Sequence, residues 1–263
     1  MLAPGDRFEG FVVDGALGRG GSAVVYRAHA GDEGVVALKI LDERRREPGD
    51  LARLRREFDF ARAVGHPHVV TMYDAGPHWL AMEYVDGTPL AEAMPLGERL
   101  AALGQIADAL DHAHRRGIVH CDVKPMNMLV HNDFPSGGAV LIDFGSAHSL
   151  AEDVLRHPTH VQASLPYSAP ELLTGRTPTP AVDEYALACT AVEVLTGAPP
   201  FTAATTMGLM DQHLRRPPPQ WSRRIAWLPH AFDSILAKAL AKTPSGRYET
   251  CSELIRLIER ALR

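Results

Sequence analysis

Two neighbouring stretches decide the fold: residues 118–130, IVHCDVKPMNMLV, and residues 140–145, VLIDFG. Each places a short apolar run next to a carboxylate, and residues 132–138 between them are rich in the residue types that favour turns. The pattern predicts two short antiparallel strands joined by a turn. This hairpin would bring four polar residues together: Asp122, Lys124, Asn127 and Asp143.

These four residues are of the types that phosphoryl transfer needs. The reaction requires a carboxylate that orients the attacking hydroxyl and receives its proton, hard oxygen ligands for Mg²⁺, and cations near the transferred group. Asp122 would supply the base, Lys124 the cation, and Asn127 with Asp143 the metal ligands. One such Asp alone is usually a turn or cap residue, but four residues in this order and spacing are not explained by a turn.

A glycine-rich segment, residues 17–26 (LGRGGSAVVY), lies between two apolar runs. Glycine lets a backbone turn without Cβ clashes and approach a phosphate closely, which indicates Leu17, Gly18 and Gly20 as phosphate-site residues. A plain glycine-rich hairpin turn stays open for this segment taken alone. The segment leads into a strand and not a helix, which excludes a dinucleotide-binding loop, and it lacks the Gly-Lys-Ser/Thr of a Walker loop.

Lys39 is one of only four lysines in the chain, and it follows the apolar residues 35–38. A lysine buried in such a strand is costly unless it is paired, and Glu57 on the polar face of the next helix is a candidate partner. The alternative is a strand-end lysine whose ammonium group reaches water. The glycine-rich segment nearby favours the paired, functional lysine.

Secondary-structure signals divide the chain near residues 83–90. Before this point, short β-rich runs at residues 11–13, 24–26, 35–40, 69–73 and 80–85 accompany one helical pattern at residues 51–64. After it, helical patterns cover residues 98–116, 183–195, 232–241 and 252–262. We therefore predict an α+β protein with a small antiparallel sheet and one helix in residues 1–85, and a larger, mainly α-helical part in residues 86–263.

The composition is that of a soluble globular protein: 263 residues, 46% hydrophobic and 22% charged. A net charge of −5 gives no reason to expect nucleic-acid binding. No apolar run approaches the ~18 residues of a membrane span, and the N-terminus does not read as a signal peptide, so we expect no membrane association. Three widely separated cysteines fit a reducing, cytoplasmic location.

The motifs continue in a fixed order along the chain. After residues 120–127 (HCDVKPMN) and 143–145 (DFG) come residues 169–171 (APE), then Asp183 in an apolar helix, then Arg247. Before them lie residues 18–25 (GRGGSAVV) and 36–39 (VALK). The set resembles the eukaryotic-like (Hanks-type) Ser/Thr protein kinases, most of all a bacterial stand-alone catalytic domain, over nearly all of residues 1–263.

The resemblance implies a bilobal protein-kinase fold with helix C in the N-lobe, and ATP with Mg²⁺ (or Mn²⁺) in the cleft between the lobes. It implies that Lys39 holds the α- and β-phosphates and is positioned by Glu57. It also implies that Arg247 pairs with Glu171, the glutamate of the A-P-E segment. The residues it places around the adenine are Val25, Ala37, the gatekeeper Met82, the hinge residues Glu83 and Val85, and Leu129. Several of these would also serve as plain core residues. The partners would be unidentified protein substrates, and a second copy in a transient dimer for autophosphorylation.

Two departures from the family pattern affect the expected regulation. Cys121 stands where the family has an arginine that, in many kinases, pairs with a phosphorylated activation-loop residue. We therefore predict a kinase that does not depend on that switch. Ser164 keeps a hydroxyl where the family usually has threonine, which favours Ser/Thr substrates. The candidate autophosphorylation sites are Ser146, Ser149, Thr159, Ser164 and Ser168.

Two other functions stay open at this point. A pseudokinase scaffold would share the fold, but every catalytic position here is filled. A small-molecule kinase of similar fold, such as an antibiotic phosphotransferase, usually lacks both the A-P-E segment and a lysine two residues after the catalytic aspartate. Residues 169–171 and Lys124 therefore argue against it.

Overall fold

The computed structural model describes residues 1–30, 33–91, 94–151 and 164–263. Its N-terminal part contains a six-stranded antiparallel sheet with strand order β1-β2-β3-β4-β6-β5. The strands are β1 (Arg7–Phe8), β2 (Phe11–Arg19), β3 (Ala23–Ala30), β4 (Glu33–Leu41), β5 (Met72–Gly76) and β6 (Trp79–Glu83).

The two faces of this sheet carry different clusters of apolar side chains. Because side chains alternate along a strand, Ala23 and Val25 of β3 face the main core, whereas Val24 and Tyr26 belong to a second cluster on the opposite face. That outer cluster packs under the N-terminal residues Leu2 and Phe8 in addition to β6. The sheet is thus apolar on both sides, which explains why its strands do not show a clean polar alternation.

One helix, α1 (Pro48–Val64), packs on the inner face of the sheet. It begins three residues before the predicted start because proline is well tolerated in the first turn, and it ends at Gly65, whose φ of 52° suits glycine. Leu54 and Phe58 are buried one turn apart and fix the orientation of the helix. Glu57 is therefore turned inward beside them.

The C-terminal part is mainly helical, as predicted. The helices are α2 (Leu96–Arg115), α3 (Phe134–Gly137), α4 (Pro170–Leu173), α5 (Pro180–Thr196), α6 (Thr206–Arg215), α7 (His230–Ala239) and α8 (Cys251–Leu262). Helix α5 is buried on almost all sides against α2, α7 and α8, which is why its sequence is apolar without a polar stripe. Helix α6 was not predicted; it is only ten residues long, and His213 is its one buried residue.

The described residues of the C-terminal part also form five short strands: β7 (Gly87–Pro89), β8 (Ile118–Val119), β9 (Met128–His131), β10 (Ala139–Leu141) and β11 (His148–Ser149). The predicted hairpin is confirmed by β9 and β10, which pair antiparallel with Leu129 opposite Val140. The candidate catalytic residues lie in the loops that flank this hairpin. Strands β8 and β11 pair antiparallel, with His148 opposite Val119.

The strand predicted at residues 69–73 was misplaced. Strand β5 begins only at Met72, because Val70 N–H instead donates to the Leu141 carbonyl at 3.0 Å. This bond ties the segment after α1 to strand β10 and therefore connects the two parts of the chain. Within the described ranges, no helix is long and apolar enough to cross a membrane.

Candidate active site

A buried ion pair links the sheet to helix α1. Lys39 Nζ donates to both carboxylate oxygens of Glu57 at 2.7 Å and lies 3.6 Å from Asp143 Oδ1. Burial alone would lower the pKa of Lys39, but attraction to Glu57 and Asp143 outweighs it and raises that pKa. The ammonium is therefore charged and points at the start of the D-F-G segment.

The catalytic-loop residues converge on one carboxylate. Lys124 Nζ donates to Asp122 Oδ2 at 2.7 Å, and Asn127 Nδ2 donates to the Asp122 carbonyl at 2.8 Å and to Oδ2 at 3.1 Å. Ser164 Oγ donates to Asp122 Oδ1 at 2.8 Å and accepts from Lys124 Nζ at 2.9 Å. The structure thus brings together Asp122, Lys124 and Asn127, which are separated by at most five positions in sequence, with Ser164 from a distant segment.

Asp183 at the start of α5 binds the backbone of the catalytic loop. It is fully buried, and its carboxylate accepts from the backbone N–H groups of His120 at 2.7 Å and Cys121 at 2.8 Å. Cys121 has a φ of 64°, which is strained for a residue with a Cβ, so these two bonds stabilise an otherwise unfavourable backbone. Burial opposes ionisation of Asp183, but the hydrogen bond from His114 (2.8 Å) and its charge lower the pKa of that carboxyl.

Asp143 provides a second ionised carboxylate in the same place. Its φ is 65°, and Oδ1 accepts from Gly145 N–H at 3.3 Å. Burial would raise the pKa of Asp143, but attraction to Lys39, His120 and Arg53 lowers it. A Cβ on Gly145 would lie 3.1 Å from both Arg53 Nε and Asp143 Oδ1, a tight approach that favours glycine at this position.

Asn127 and Asp143 fit a divalent metal ion by their donor atoms. Asn127 uses its Nδ2 for Asp122, which leaves its Oδ1 as the oxygen it can offer to a metal ion. Asp143 adds ionised carboxylate oxygen. Hard oxygen donors of this kind are those that Mg²⁺ and Mn²⁺ select.

The glycine-rich segment forms the end of β2 and the turn to β3. Gly18 pairs with Val25 across the strands, and Gly20 N–H donates to the Ala23 carbonyl at 2.9 Å. A Cβ at Gly18 would meet nothing within 4 Å. Neither packing in the protein nor backbone conformation demands glycine at position 18. Leu17 is 47% exposed, at the edge of this segment.

The residues expected around the adenine lie in one apolar cluster. Ala37, Met82 and Val85 are buried, and Val25 and Leu129 pack against them partly exposed. Met82 pairs with Ala37 across strands β6 and β4.

At the next residue along the chain, the hinge residue Glu83, the backbone N–H already has a partner within the protein. Its N–H donates to the Thr71 carbonyl at 2.8 Å, so this donor serves the protein and not a ligand.

Three features of the site were not predicted from sequence. Arg53 lies one turn before Glu57 on α1 and faces Asp143, which the helical spacing of the two charged residues could have indicated. Arg56 donates to the Ala147 carbonyl at 2.8 Å and connects α1 to the D-F-G segment. His114 reaches Asp183 across 69 positions, which no local pattern reveals.

The predicted pairing of Arg247 with the A-P-E glutamate is confirmed. Arg247 donates to the two carboxylate oxygens of Glu171 at 2.6 and 2.8 Å, and both side chains are buried. Thr159, one of the candidate phosphorylation sites, lies outside the described residues, as does most of the segment between Asp143 and Ser164.

Comparison with known proteins agrees with this geometry. A family model described as "Protein kinase domain" matches residues 11–257. The serine/threonine-protein kinase PknF of Mycobacterium tuberculosis is 37% identical over 273 residues, which cover 98% of this chain and 57% of PknF. PknJ of Mycobacterium bovis is 35% identical over 275 residues, which cover 99% of the chain and 47% of PknJ. The crystal structure of the PknI kinase domain of Mycobacterium tuberculosis is 31% identical, with a TM-score of 0.76, and the match covers 99% of this chain and 100% of that domain.

The chain therefore belongs to the protein kinase family. Within that family it has the catalytic domain of a bacterial Hanks-type serine/threonine kinase, with an α+β bilobal fold. The chain spans about half the length of the curated relatives it matches.

Proposed function

We propose that this domain transfers the γ-phosphoryl group of ATP to serine or threonine hydroxyls of protein substrates. The observation that carries the proposal is the hydroxyl of Ser164, held between the Asp122 carboxylate at 2.8 Å and the Lys124 ammonium at 2.9 Å. A carboxylate and an ammonium around one hydroxyl are what an attacking alcohol needs. A carboxylate has about four lone-pair sites, so Asp122 can accept a substrate hydroxyl in addition to Ser164.

Asp122 orients the substrate hydroxyl in this proposal and accepts its proton during transfer. Lys124 offsets the negative charge that develops on the transferred group. Asp183 acts as a positioning residue, because it fixes the backbone of the two residues before Asp122 at 2.7 and 2.8 Å. The loop is thus already in its binding conformation before the substrate arrives, which lowers the entropic cost of reaching the reactive geometry.

ATP would lie between the glycine-rich segment and the hairpin of β9 and β10. Lys39, charged and held by Glu57, would bind the α- and β-phosphates, and the backbone around Gly18 and Gly20 would approach them closely. Asn127 and Asp143 would hold Mg²⁺, which when bound neutralises phosphate charge. The apolar cluster around Ala37 and Met82 would enclose the adenine ring.

Cys121 supports activity without the usual phosphate switch. Its side chain is buried, and its Sγ donates to the Val119 carbonyl at 3.6 Å. A thiol in this position offers no guanidinium for a charge-assisted bond to a phosphorylated residue. Asp183 still holds the backbone at this position, so the loop keeps its conformation without the arginine.

The proposal is tested by label transfer from γ-labelled ATP with Mg²⁺ to a protein acceptor. Asp122→Asn should lower kcat by about 10²–10⁴-fold, the contribution typical of a positioned general base. Asp133→Asn is the matched control, because the same chemical change is made at an exposed aspartate in the nearby turn.

Two results would contradict the proposal. Equal labelling by the wild type and by Asp122→Asn would favour a non-catalytic scaffold. Labelling of a sugar hydroxyl, while every protein acceptor stays unlabelled, would favour a small-molecule kinase.

A further inference from the structure

A cavity of about 650 Å³ opens on the outer face of the N-lobe sheet, away from the proposed catalytic residues. Its floor consists of the buried apolar side chains of Val24, Tyr26 and Ile40. Leu2 and Phe8 of the N-terminal segment line it on one side. Lys39 and the adenine cluster lie on the opposite face of the same strands, so this cavity is separate from the proposed ATP site.

Four arginines stand around this cavity: Arg19 from the glycine-rich segment, and Arg44, Arg45 and Arg46 from the linker between β4 and α1. Asp42 and Glu43 also line it, and Asp42 pairs with Arg19 at 3.4 Å. In the part of the chain that the structure describes, no carboxylate lies within 4.0 Å of Arg44 or Arg45, and both are exposed. The rim is therefore positively charged although the whole chain carries a net charge of −5.

We propose that this arginine-rimmed cavity docks an acidic peptide segment of a partner protein that carries apolar side chains. Cavities of roughly 300–1,000 Å³ accommodate ligands of drug size. A ligand of that size has about the volume of two or three large side chains. The apolar floor matches such side chains, and the arginines match carboxylates on either side of them. An apolar peptide without acids would leave the arginines unmatched, and an acidic peptide without apolar residues would leave the floor exposed to water.

The occupant would contact two segments that the structure already connects. Arg19 and Gly21 belong to the glycine-rich segment, and residues 42–46 form the linker to α1. Asp42 N–H donates to the Ser22 carbonyl at 3.0 Å, which joins the linker to the glycine-rich segment. The charged rim of the docking surface is thus built by two chain segments that a hydrogen bond connects, and not by one exposed loop.

The test is fluorescence polarisation of the purified protein with three fluorescein-labelled hexapeptides, in the absence of ATP. We expect saturable binding of Glu-Glu-Phe-Leu-Glu-Glu. Binding of Gln-Gln-Phe-Leu-Gln-Gln, which lacks the acids, and of Glu-Glu-Ala-Ala-Glu-Glu, which lacks the large apolar groups, should each be weaker by at least about tenfold. Because ATP is absent, the result is independent of the proposed phosphoryl transfer.

The matched variants reverse the same number of charges in two places. Arg44→Glu with Arg45→Glu should weaken binding of the acidic peptide by at least about tenfold, because attraction becomes repulsion at both positions. Arg256→Glu with Arg260→Glu reverses two exposed arginines on α8 and should change binding by less than about twofold. All four residues are exposed, so both variants should keep the unfolding midpoint of the wild type.

Three results would overturn the proposal. One is the absence of saturable binding to the wild type at millimolar peptide. Another is equal binding by the two double variants. The third is a dimer in sedimentation velocity that Arg44→Glu with Arg45→Glu dissociates while no peptide binds, which would make a second copy of the chain the occupant.

Discussion

Glu184 provides a quantitative test of the packing around α5. This carboxyl is only 2% exposed, one residue after Asp183. Burial raises the pKa of Glu184 from 4.5 to about 9, against the attraction of Arg247 and the backbone of Tyr248. The neighbouring Glu171 adds to the effect, because ionised Glu184 would place a second negative charge beside it. Glu184 is therefore protonated in the folded protein at neutral pH.

The sign of the pH dependence follows from the raised pKa. Below pH 4.5 the Glu184 carboxyl is protonated in both the folded and the unfolded protein, so its ionisation does not change the free energy of unfolding. As pH rises above that value, the unfolded chain ionises and the folded chain does not, so stability is lost progressively up to about pH 9. At about 1.4 kcal/mol per pH unit, the loss at pH 7 amounts to about 3 kcal/mol.

Glu184→Gln removes this loss, because glutamine is neutral in both states. The free energy of unfolding of the variant relative to the wild type should increase by about 2 kcal/mol between pH 5.5 and pH 7, and further towards pH 8.5. Urea denaturation followed by tryptophan fluorescence measures it, and the change with pH is independent of any constant cost of the new amide. Glu249→Gln, at an exposed position, is the control and should show no such trend. A difference between Glu184→Gln and wild type that does not vary with pH would show that the Glu184 carboxyl is not held neutral in the folded protein.

We expect three further results, which concern the Arg247–Glu171 ion pair, Gly18 and phosphorylation of the protein. Arg247→Ala should lower the free energy of unfolding by about 3–5 kcal/mol in urea denaturation, because it leaves Glu171 buried without its partner, whereas exposed Arg256→Ala should change it by less than about 0.5 kcal/mol. Gly18→Ala should change the free energy of unfolding by less than about 0.5 kcal/mol, since the new Cβ meets no atom within 4 Å. The same change should raise the KM for ATP several-fold, because the Cβ would stand where a phosphate approaches the backbone. An unchanged KM would mean that no phosphate approaches there. Because Cys121 replaces the phosphate-pairing arginine, treatment with a phosphatase should leave kcat within about twofold, and a protein that becomes inert would contradict this role.

Sequence alone predicted the parts of the fold that rest on local patterns. The hairpin after residue 118 and the helix at residues 51–64 were predicted in this way and are confirmed. The pairing of Arg247 with Glu171, which lie 76 positions apart, was predicted only through the resemblance to the kinase family, and it is confirmed as well. The motifs supplied this information because each combines turn residues, strand residues and charged residues at fixed spacing. The protein-kinase fold is likewise confirmed.

The features that sequence did not predict depend on contacts between distant segments. Helix α6 was not predicted because it buries a single histidine. The signal for its start is the N-cap residue Thr205, whose side chain accepts a hydrogen bond from the Gly208 N–H. Val70 looked like part of a strand, but it bonds to Leu141 in another part of the chain. Arg53 acquires its place beside Asp143 only once α1 is packed on the sheet. Helical spacing indicates the face that Arg53 shares with Glu57, but the contact with Asp143 itself has no local signature in sequence.

The central claim is that Asp122 directs phosphoryl transfer to serine and threonine hydroxyls of proteins. Mass-spectrometric mapping of phosphorylated residues after incubation with ATP and Mg²⁺, on the protein itself and on a lysate of proteins, tests it most directly. We expect new phosphoserine and phosphothreonine with the wild type, and their loss with Asp122→Asn. Identical phosphorylation with both proteins, or no phosphorylated protein with either, would contradict it.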